Sequence, residues 1–319
     1  KSRKFGKEVF MRSGWANTDN YLTFSCGFNG TYHGHLDANS FTVFKGPLGE
    51  VSPDGGYSGD SFGAYHYDFF RRTVAHNAIL VYDATETWYD GYPTPVRSND
   101  GGQRLDYRRY NPPFTNHYTG QAGSPKTILR LWSGSLYQTA PYQELFNRPT
   151  LAYEVETNFC YVKGDASKAY SNDYSGSGYN QKNRVAVAVR YLVYTFGDII
   201  IVFDRVQSVV ASYVKSWCLQ SVGVPVVDGN TPSAGETDYV SASLIRLTNN
   251  SQRLFSKTLL PSANWKMSAI GGTGYEGWVH GTNYWQSGRP AGTRTWRCEV
   301  IPTDSATDHL FLHVLQTCA

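Results

Sequence analysis

Short runs rich in β-branched and aromatic residues recur along the whole chain, separated by clusters of Gly, Asn, Asp and Pro. The clearest runs cover residues 21–25, 41–44, 78–82, 151–157, 185–194, 199–206 and 310–315. Several of them alternate apolar and polar side chains, as half-buried antiparallel strands do, and no stretch of helical period is long enough to compete. No repeat of fixed period indicates a propeller or a solenoid. The pattern predicts an all-β protein, a large antiparallel two-sheet β-sandwich.

A change of composition at residues 226–237, which are rich in Gly, Pro, Ser and Asp, predicts where the chain divides. We expect a main sandwich that carries the functional residues over 1–225, and a C-terminal β part over 226–319 that completes or extends it. The same segment is equally compatible with one long hairpin loop. Long loops in compact domains tend to bind ligands, so four turn-rich connectors are candidate walls for a substrate. These connectors cover residues 89–103, 111–124, 171–183 and 271–292.

The charge distribution argues against several partners. The chain carries 29 basic and 26 acidic residues without a lysine-rich or arginine-rich run, so neither nucleic acid nor a membrane surface is an expected partner. No apolar run approaches the about 18 to 20 residues of a membrane-spanning helix. The first residues lack the apolar core of a signal peptide and already resemble a strand inside a domain, so we expect a processed or truncated protein.

Aromatic residues and cysteines say less about function. The 24 tyrosines, 31 glycines and 8 tryptophans suit strands, turns and sugar-stacking surfaces, and they favour an exported carbohydrate-active protein. The five cysteines are widely spaced with no Cys-x-x-Cys pair, so they indicate neither a disulfide framework nor a thiolate zinc site. Five cysteines still allow one disulfide bridge. They do not decide between an oxidising and a reducing cellular compartment.

A cluster of possible metal ligands lies early in the chain. His33, His35 and Asp37 are spaced two residues apart, and in an extended strand this spacing places all three side chains on one face. Asp54 follows in a Pro-Asp-Gly-Gly turn, and His76 in an Ala-His-Asn segment. Two imidazoles and a carboxylate are a ligand set that zinc prefers. The pattern predicts a metal site, although Asp-Gly is also common turn chemistry and a His-x-His pair also occurs on surfaces without metal.

Several ordered segments resemble the β-sandwich half of the heparinase II/III-like polysaccharide lyases. The strong segments are residues 32–41, 52–57, 71–82 and 99–104, and weaker ones are 199–206, 298–302 and 311–315. The resemblance implies a zinc ion held by His35, Asp54 and His76. It also implies that His33 faces the sugar as a catalytic or carboxylate-contacting group. Asp37 would fix the tautomer of an imidazole, a common accompaniment of zinc-bound histidine.

The activity implied by the resemblance is β-elimination from an acidic, uronate-containing polysaccharide. This chemistry needs a base for the proton α to the carboxylate, an acid for the leaving oxygen, and stabilisation of the negative charge. In the related lyases a catalytic tyrosine comes from an N-terminal α/α-toroid domain, so we expect that toroid as a separate chain or cleaved fragment, or a protein that binds without turnover. Tyr65 and Tyr67 are local candidates for the tyrosine. Arg72, Asn77 and Arg104 are candidate contacts for carboxylate or sulfate.

Two other function classes stay open at this point. One is a non-catalytic carbohydrate-binding or scaffold protein in which zinc only holds loops together. The other is a cupin-like metal enzyme, because Gly27 followed by His33 and His35 resembles the start of a cupin box, although the usual glutamate is absent. A secreted or periplasmic location is expected from the resemblance and the substrate class.

Overall fold

The protein is described from a computed structural model. The structure describes residues 2–5, 8–26, 35–46, 49–56, 63–86, 99–103, 105–106, 120–121, 152–170, 175–176, 179–180, 183–290 and 292–318. Within these ranges the chain forms 24 strands, every strand pairing is antiparallel, and the helical segments are single turns. The prediction of an all-β fold is confirmed. No helix in the described ranges has the length and apolar character needed to cross a membrane.

The first sheet is a five-stranded meander whose strands lie in chain order. Its strands are β1 Ser2–Phe5, β2 Glu8–Arg12, β3 Asn20–Ser25, β4 Ser40–Lys45 and β5 Glu50–Ser52. Alternation decides which face is buried: Val9 and Met11 on β2 are fully buried, and the residues between and beside them are half-buried. The register pairs Met11 with Leu22 on β3, which carries the apolar face across the sheet.

The second sheet has eight strands and forms one whole layer of the fold. Its strands are β9 Ala152–Val155, β10 Cys160–Asp165, β13 Val185–Tyr194, β14 Ile199–Ser208, β16 Val226–Val227, β18 Leu244–Asn249, β19 Gln252–Leu260 and β24 Asp308–Cys318. Their order across the sheet is β16-β18-β19-β24-β14-β13-β10-β9. The long central strands β13 and β14 are rich in Val and Ile, as expected for strands with a buried face.

The third sheet has five strands in the order β17-β20-β23-β15-β6. Its strands are β6 Ile79–Tyr82, β15 Val214–Ser221, β17 Gly235–Val240, β20 Trp265–Gly271 and β23 Trp296–Pro302. Strands from both sides of residue 226 therefore pair in the second and third sheets. The division into parts 1–225 and 226–319 stays a prediction.

The remaining elements are small. Three two-stranded ribbons pair β7 Leu105–Asp106 with β8 Gly120–Gln121, β11 Ser175–Gly176 with β12 Tyr179–Asn180, and β21 Trp278–Val279 with β22 Thr282–Asn283. The helical segments are a π-helical turn, His66–Phe70, and two 3₁₀ turns, Thr73–Ala75 and Ser167–Tyr170. The first two of these turns, both between β5 and β6, lead directly to the candidate site.

The two five-stranded sheets cover one face of the eight-stranded sheet. On one side Phe24 of β3 packs so closely on Gly164 of β10 that a Cβ at Gly164 would lie 2.9 Å from the Phe24 ring. On the other side Trp217 of β15 stacks on His313 of β24 with ring centroids 3.7 Å apart. Residues from all three sheets form the larger of two apolar clusters among the described residues, and each large side chain buried there stabilises the fold by about 1.5 to 3 kcal/mol. The predicted two-layer sandwich is confirmed.

Candidate metal centre

His35, Asp54 and His76 come together near the junction of the two five-stranded sheets, where the Ser52 hydroxyl on β5 donates to the Gln220 carbonyl on β15 at 2.9 Å. One possible ligand atom from each of the three lies within 4.8 Å of the others. The two imidazole rings have centroids 5.1 Å apart. His76 is fully buried, whereas His35 and Asp54 are half-buried. The structure thus groups the three residues that the sequence predicts as ligands.

This donor set suits zinc. Zinc holds histidine nitrogens and carboxylate oxygens at about 2.0 to 2.2 Å in a tetrahedron, which places ligand atoms about 3.4 Å apart. The three side chains therefore need to close by no more than about 1.4 Å to surround an ion. Within the described part of the chain three residues offer ligands, and zinc sites with three protein ligands keep a fourth position for water or substrate, as catalytic sites do.

Hydrogen bonds fix the segment of His35 against the turn that leads to His76. The Leu36 amide donates to the Arg71 carbonyl at 2.8 Å. In return, the Thr73 hydroxyl donates to the Leu36 carbonyl at 2.8 Å. The same hydroxyl accepts a hydrogen bond from the backbone N–H of Gln103 at 2.8 Å. Thr73 is fully buried, so these bonds are protected from competing water.

The Asp-Gly-Gly turn is part of the site. The Gly56 amide donates to Asp54 Oδ1 at 2.7 Å, and the other carboxylate oxygen accepts no hydrogen bond from the described residues. The Gly55 amide donates to His76 Nδ1 at 3.4 Å. A Cβ at Gly55 would lie 2.3 Å from the Phe70 carbonyl oxygen and 3.0 Å from His76 Cε1. Turn chemistry and a ligand role for Asp54 are therefore compatible, since the turn uses one oxygen only.

The strand period does not position His35 and Asp37, because the described residues 35–39 are not a strand. They form a bend and a turn in which the Ser40 amide donates to the Asp37 carbonyl at 2.9 Å, and β4 begins only at Ser40. Asn39 closes this turn with φ +66°, a left-handed conformation that asparagine tolerates. The expectation of a common strand face is wrong for His35 and Asp37. A role for Asp37 in fixing an imidazole tautomer stays a prediction.

Two predicted site residues lie outside the described residues. His33, the predicted catalytic histidine, and Arg104, a predicted substrate contact, both fall in the ranges that the structure does not describe. Their roles stay predictions.

Arg72 and Asn77 are buried and bonded to the scaffold. Arg72 is 2% exposed, and its Nη2 lies 2.6 Å from Asp100 Oδ1, which is itself buried. The Asn77 amide group donates to the carbonyls of Phe41 and Pro53 and to the Ser52 hydroxyl. Its side-chain oxygen accepts a hydrogen bond from the backbone N–H of Gln220 at 2.6 Å. These bonds argue against substrate contact and favour a structural role, in which Asn77 ties β4, β5 and β15 together beside His76.

Tyr65 lies one aromatic ring away from the metal ligands, whereas Tyr67 faces other groups. The Phe70 ring contacts both the Tyr65 ring, at 5.5 Å between centroids, and the His35 ring, at 5.1 Å. Tyr67 instead packs against the His66 ring at 4.6 Å. Both tyrosines are buried. Burial raises the pKa of Tyr65, and the positive charges of two arginines oppose this rise. Their catalytic roles stay predictions, and the position of Tyr65 favours it over Tyr67.

The connector at 271–292 supplies neighbours that the sequence does not single out. Trp285 packs edge-on against Tyr65 at 5.4 Å, and the Arg289 guanidinium lies 5.1 Å from the centre of the Tyr65 ring. Arg294 follows the connector and lies 4.2 Å over the Phe69 ring. These residues are more than 200 positions from the metal ligands along the chain, and no local motif marks them. Only the folded sheets bring them close.

Glu50, on β5, is a second acidic group that the sequence does not indicate. Burial, and then the charge of Asp54, raise the pKa of Glu50 from an ordinary value of 4.5 to about 8. With a pKa of about 8, Glu50 is largely protonated at neutral pH and carries little negative charge there.

We expect Glu50 to contribute a loss of stability to the metal-free protein as the pH rises from about 4.5 to about 8. In this window the folded chain keeps a proton on Glu50 that the unfolded chain has released, so each rise in pH favours unfolding. Glu50→Gln should flatten this dependence, whereas Glu156→Gln, at an exposed site, should leave it unchanged. Urea unfolding with chelator across that range measures the slopes, and equal slopes in all three proteins would contradict the assignment.

Comparison with known proteins gives a fold and no more. No protein-family profile matches the sequence, and no curated protein sequence does. Among solved structures, the heparan sulfate lyase HepC from Pedobacter heparinus matches with a TM-score of 0.55 at 11% identity, over 99% of this chain and 36% of that chain. The heparinase III BT4657 gene product matches with a TM-score of 0.54 at 12% identity, over 99% and 36%. The chain therefore spans about a third of the length of these neighbours, and the likeness is one of fold.

Proposed function

We propose that this chain is the β-sandwich part of a zinc-containing polysaccharide lyase that cleaves a uronate-containing glycan by β-elimination. The observation that carries the proposal is the convergence of His35, Asp54 and His76, whose possible ligand atoms lie within 4.8 Å of one another. It occurs on a sandwich that resembles two lyases, one of them described as acting on heparan sulfate.

The proposed chemistry divides between the metal and the side chains. Zinc, when held by His35, Asp54 and His76, supplies a fixed positive charge that orients the site and favours negative charge developing nearby. We assign removal of the proton α to the carboxylate to His33, two residues before His35 in the chain. The electron pair of that C–H bond forms the new C=C bond while the bond to the 4-oxygen breaks.

Tyr65 is suited to the second proton transfer. Burial raises the pKa of its phenol, so the hydroxyl stays protonated at neutral pH. A protonated group close to the site can donate to the leaving 4-oxygen as a general acid, which typically accelerates such steps by about 10²- to 10⁴-fold. Tyr67 is the alternative acid, although its ring packs on His66.

We further propose that an α/α-toroid, as a separate chain or fragment, associates with this chain without supplying the base or the acid, and that the protein acts outside the cell or in the periplasm. The chain covers about 36% of the length of the lyases it resembles, which leaves room in those proteins for other parts. An acidic polysaccharide as substrate is an extracellular or periplasmic material, which supports the location.

The test is the ultraviolet absorbance of the unsaturated uronate product over a panel of uronate polysaccharides. We expect the wild-type protein to raise it, His33→Ala to abolish the rise, and Tyr65→Phe to lower kcat by at least about 100-fold. Tyr239→Phe removes a hydroxyl on β17 and serves as the matched control, with activity unchanged. Absence of product on every glycan, with binding retained, would contradict the lyase proposal and favour the non-catalytic binding protein. Iron or manganese in place of zinc would favour the cupin-like enzyme.

A further inference from the structure

One buried arginine differs from all the others in the described part of the chain. Five arginines there are at most 4% exposed. Four of them form ion pairs at 2.6 to 2.9 Å, namely Arg72 with Asp100, Arg184 with Glu86, Arg190 with Asp204, and Arg297 with Glu299. Arg294 is the fifth, and it has no carboxylate partner among the described residues.

The guanidinium of Arg294 also lacks hydrogen-bond acceptors. Its three nitrogens are buried, and none has a hydrogen-bond partner within the described residues. The Phe69 ring at 4.2 Å offers a cation–π contact, which compensates only part of the cost of removing a charge from water. Burial lowers the pKa of Arg294 to about 10, so the group still carries its charge at neutral pH. A buried and uncompensated cation is costly to keep, which indicates that an anion from outside the chain completes it.

Aromatic side chains connect Arg294 to the candidate metal centre. The Phe69 ring beneath the guanidinium lies 5.8 Å from the Tyr65 ring. The Tyr65 ring contacts the Phe70 ring at 5.5 Å between centroids, and Phe70 contacts the His35 ring at 5.1 Å, so a series of aromatic contacts links the guanidinium to the proposed acid and to a metal ligand. Arg294 is carried by the loop between β22 and β23, and loops are the parts of a fold that adjust most readily to admit a ligand.

We propose that Arg294 binds an acidic group of the glycan, a carboxylate or a sulfate, and holds the sugar against the metal centre. This inference rests on the proposed function, because it takes the glycan as the ligand. A guanidinium suits both groups, since its fork of donors matches two oxygens of a carboxylate or a sulfate.

The first test separates a ligand-binding arginine from a structural one by stability without ligand. Arg294→Met keeps an unbranched side chain and removes an uncompensated charge, so we expect its melting temperature to equal or exceed that of the wild type. Arg190→Met, which breaks a buried ion pair, should melt well below the wild type. If Arg294→Met loses stability as Arg190→Met does, Arg294 is structural and the proposal is overturned.

The second test measures binding by calorimetry with an unsulfated uronate oligosaccharide, a sulfated oligosaccharide without uronate, and inorganic sulfate. We expect the wild type to bind at least one of them and Arg294→Met to bind it about 10- to 100-fold more weakly. Arg246→Met, at an exposed site, is the control with unchanged affinity. Preference for the first ligand assigns a carboxylate, and preference for the others assigns a sulfate.

The proposal is overturned if the wild type binds none of these ligands, or if Arg294→Met binds them as the wild type does. Binding that depends on Arg294, without product formation by the wild type, would remove the lyase proposal and leave Arg294 as an anion-binding residue. Product formation with the same KM in wild type and Arg294→Met would leave the lyase proposal and remove this one.

Discussion

Asp54→Asn is expected to weaken zinc binding by more than about 100-fold, because loss of groups that merely orient zinc ligands already costs about 10- to 100-fold. An amide keeps the turn bond from Gly56 but removes the negative charge that the ion needs. At zinc concentrations about 1,000 times Kd, the bound ion adds about 4 kcal/mol to the free energy of unfolding. Chelation should remove this stabilisation from the wild type and no more than about 1.4 kcal/mol from the variant, for which the same zinc concentration is at most about 10 times Kd. Zinc titration and thermal unfolding with and without chelator measure both effects.

The matched control for this change is Asp308→Asn, at an exposed position of β24 far along the chain from the site. It should bind zinc as the wild type does and respond equally to chelator. If Asp54→Asn binds zinc as the wild type does, or if chelator leaves the wild-type melting temperature unchanged, then Asp54 only stabilises the turn and is not a zinc ligand.

Arg190→Met is expected to destabilise the fold by about 3 to 5 kcal/mol, the usual cost of leaving one member of a buried ion pair unpaired. Arg190 Nε lies 2.7 Å from Asp204 Oδ1, and both side chains are buried in the eight-stranded sheet. The Arg190 guanidinium also donates to the carbonyl of Asn39 and to the carbonyl of Asn77, the residue after His76. Urea unfolding measures the loss. The hydrogen bond to the Asn77 carbonyl holds the backbone next to His76 in place. Its loss should let His76 move, so we expect the variant also to bind zinc more weakly.

Arg205→Met, one residue from Asp204 and exposed on the same strand, should change stability by less than about 0.5 kcal/mol. The double variant Arg190→Met with Asp204→Leu should recover most of the loss, because it replaces an ion pair with apolar groups instead of isolating a charge. A single variant as stable as the wild type would show that the ion pair does not support the core.

The fold was predictable because its signal is local and repeated. Alternation along β2 and the Val- and Ile-rich runs of β13 and β14 reflect the two-residue period of a strand against a single core. The grouping of His35, Asp54 and His76 was also predictable, although the strand geometry invoked for the first of them was not correct. A bend and a turn, closed by Asn39 with a positive φ, position it instead.

Other features depend on contacts between distant segments. The amide of Asn77 resembles a sugar contact in the sequence, but acceptors from β4 and β5 and a donor from β15 surround it in the fold. Arg294 resembles an ordinary loop arginine in the sequence. Its significance arises only from burial without a counter-ion among the described residues, and no local pattern encodes that property.

X-ray diffraction from zinc-loaded crystals, with data collected on both sides of the zinc absorption edge, tests the central claim most directly. We expect one strong anomalous peak at about 2.0 to 2.2 Å from a nitrogen of His35, a nitrogen of His76 and a carboxylate oxygen of Asp54. A peak elsewhere in the molecule, or no peak with these three side chains turned apart, would contradict it.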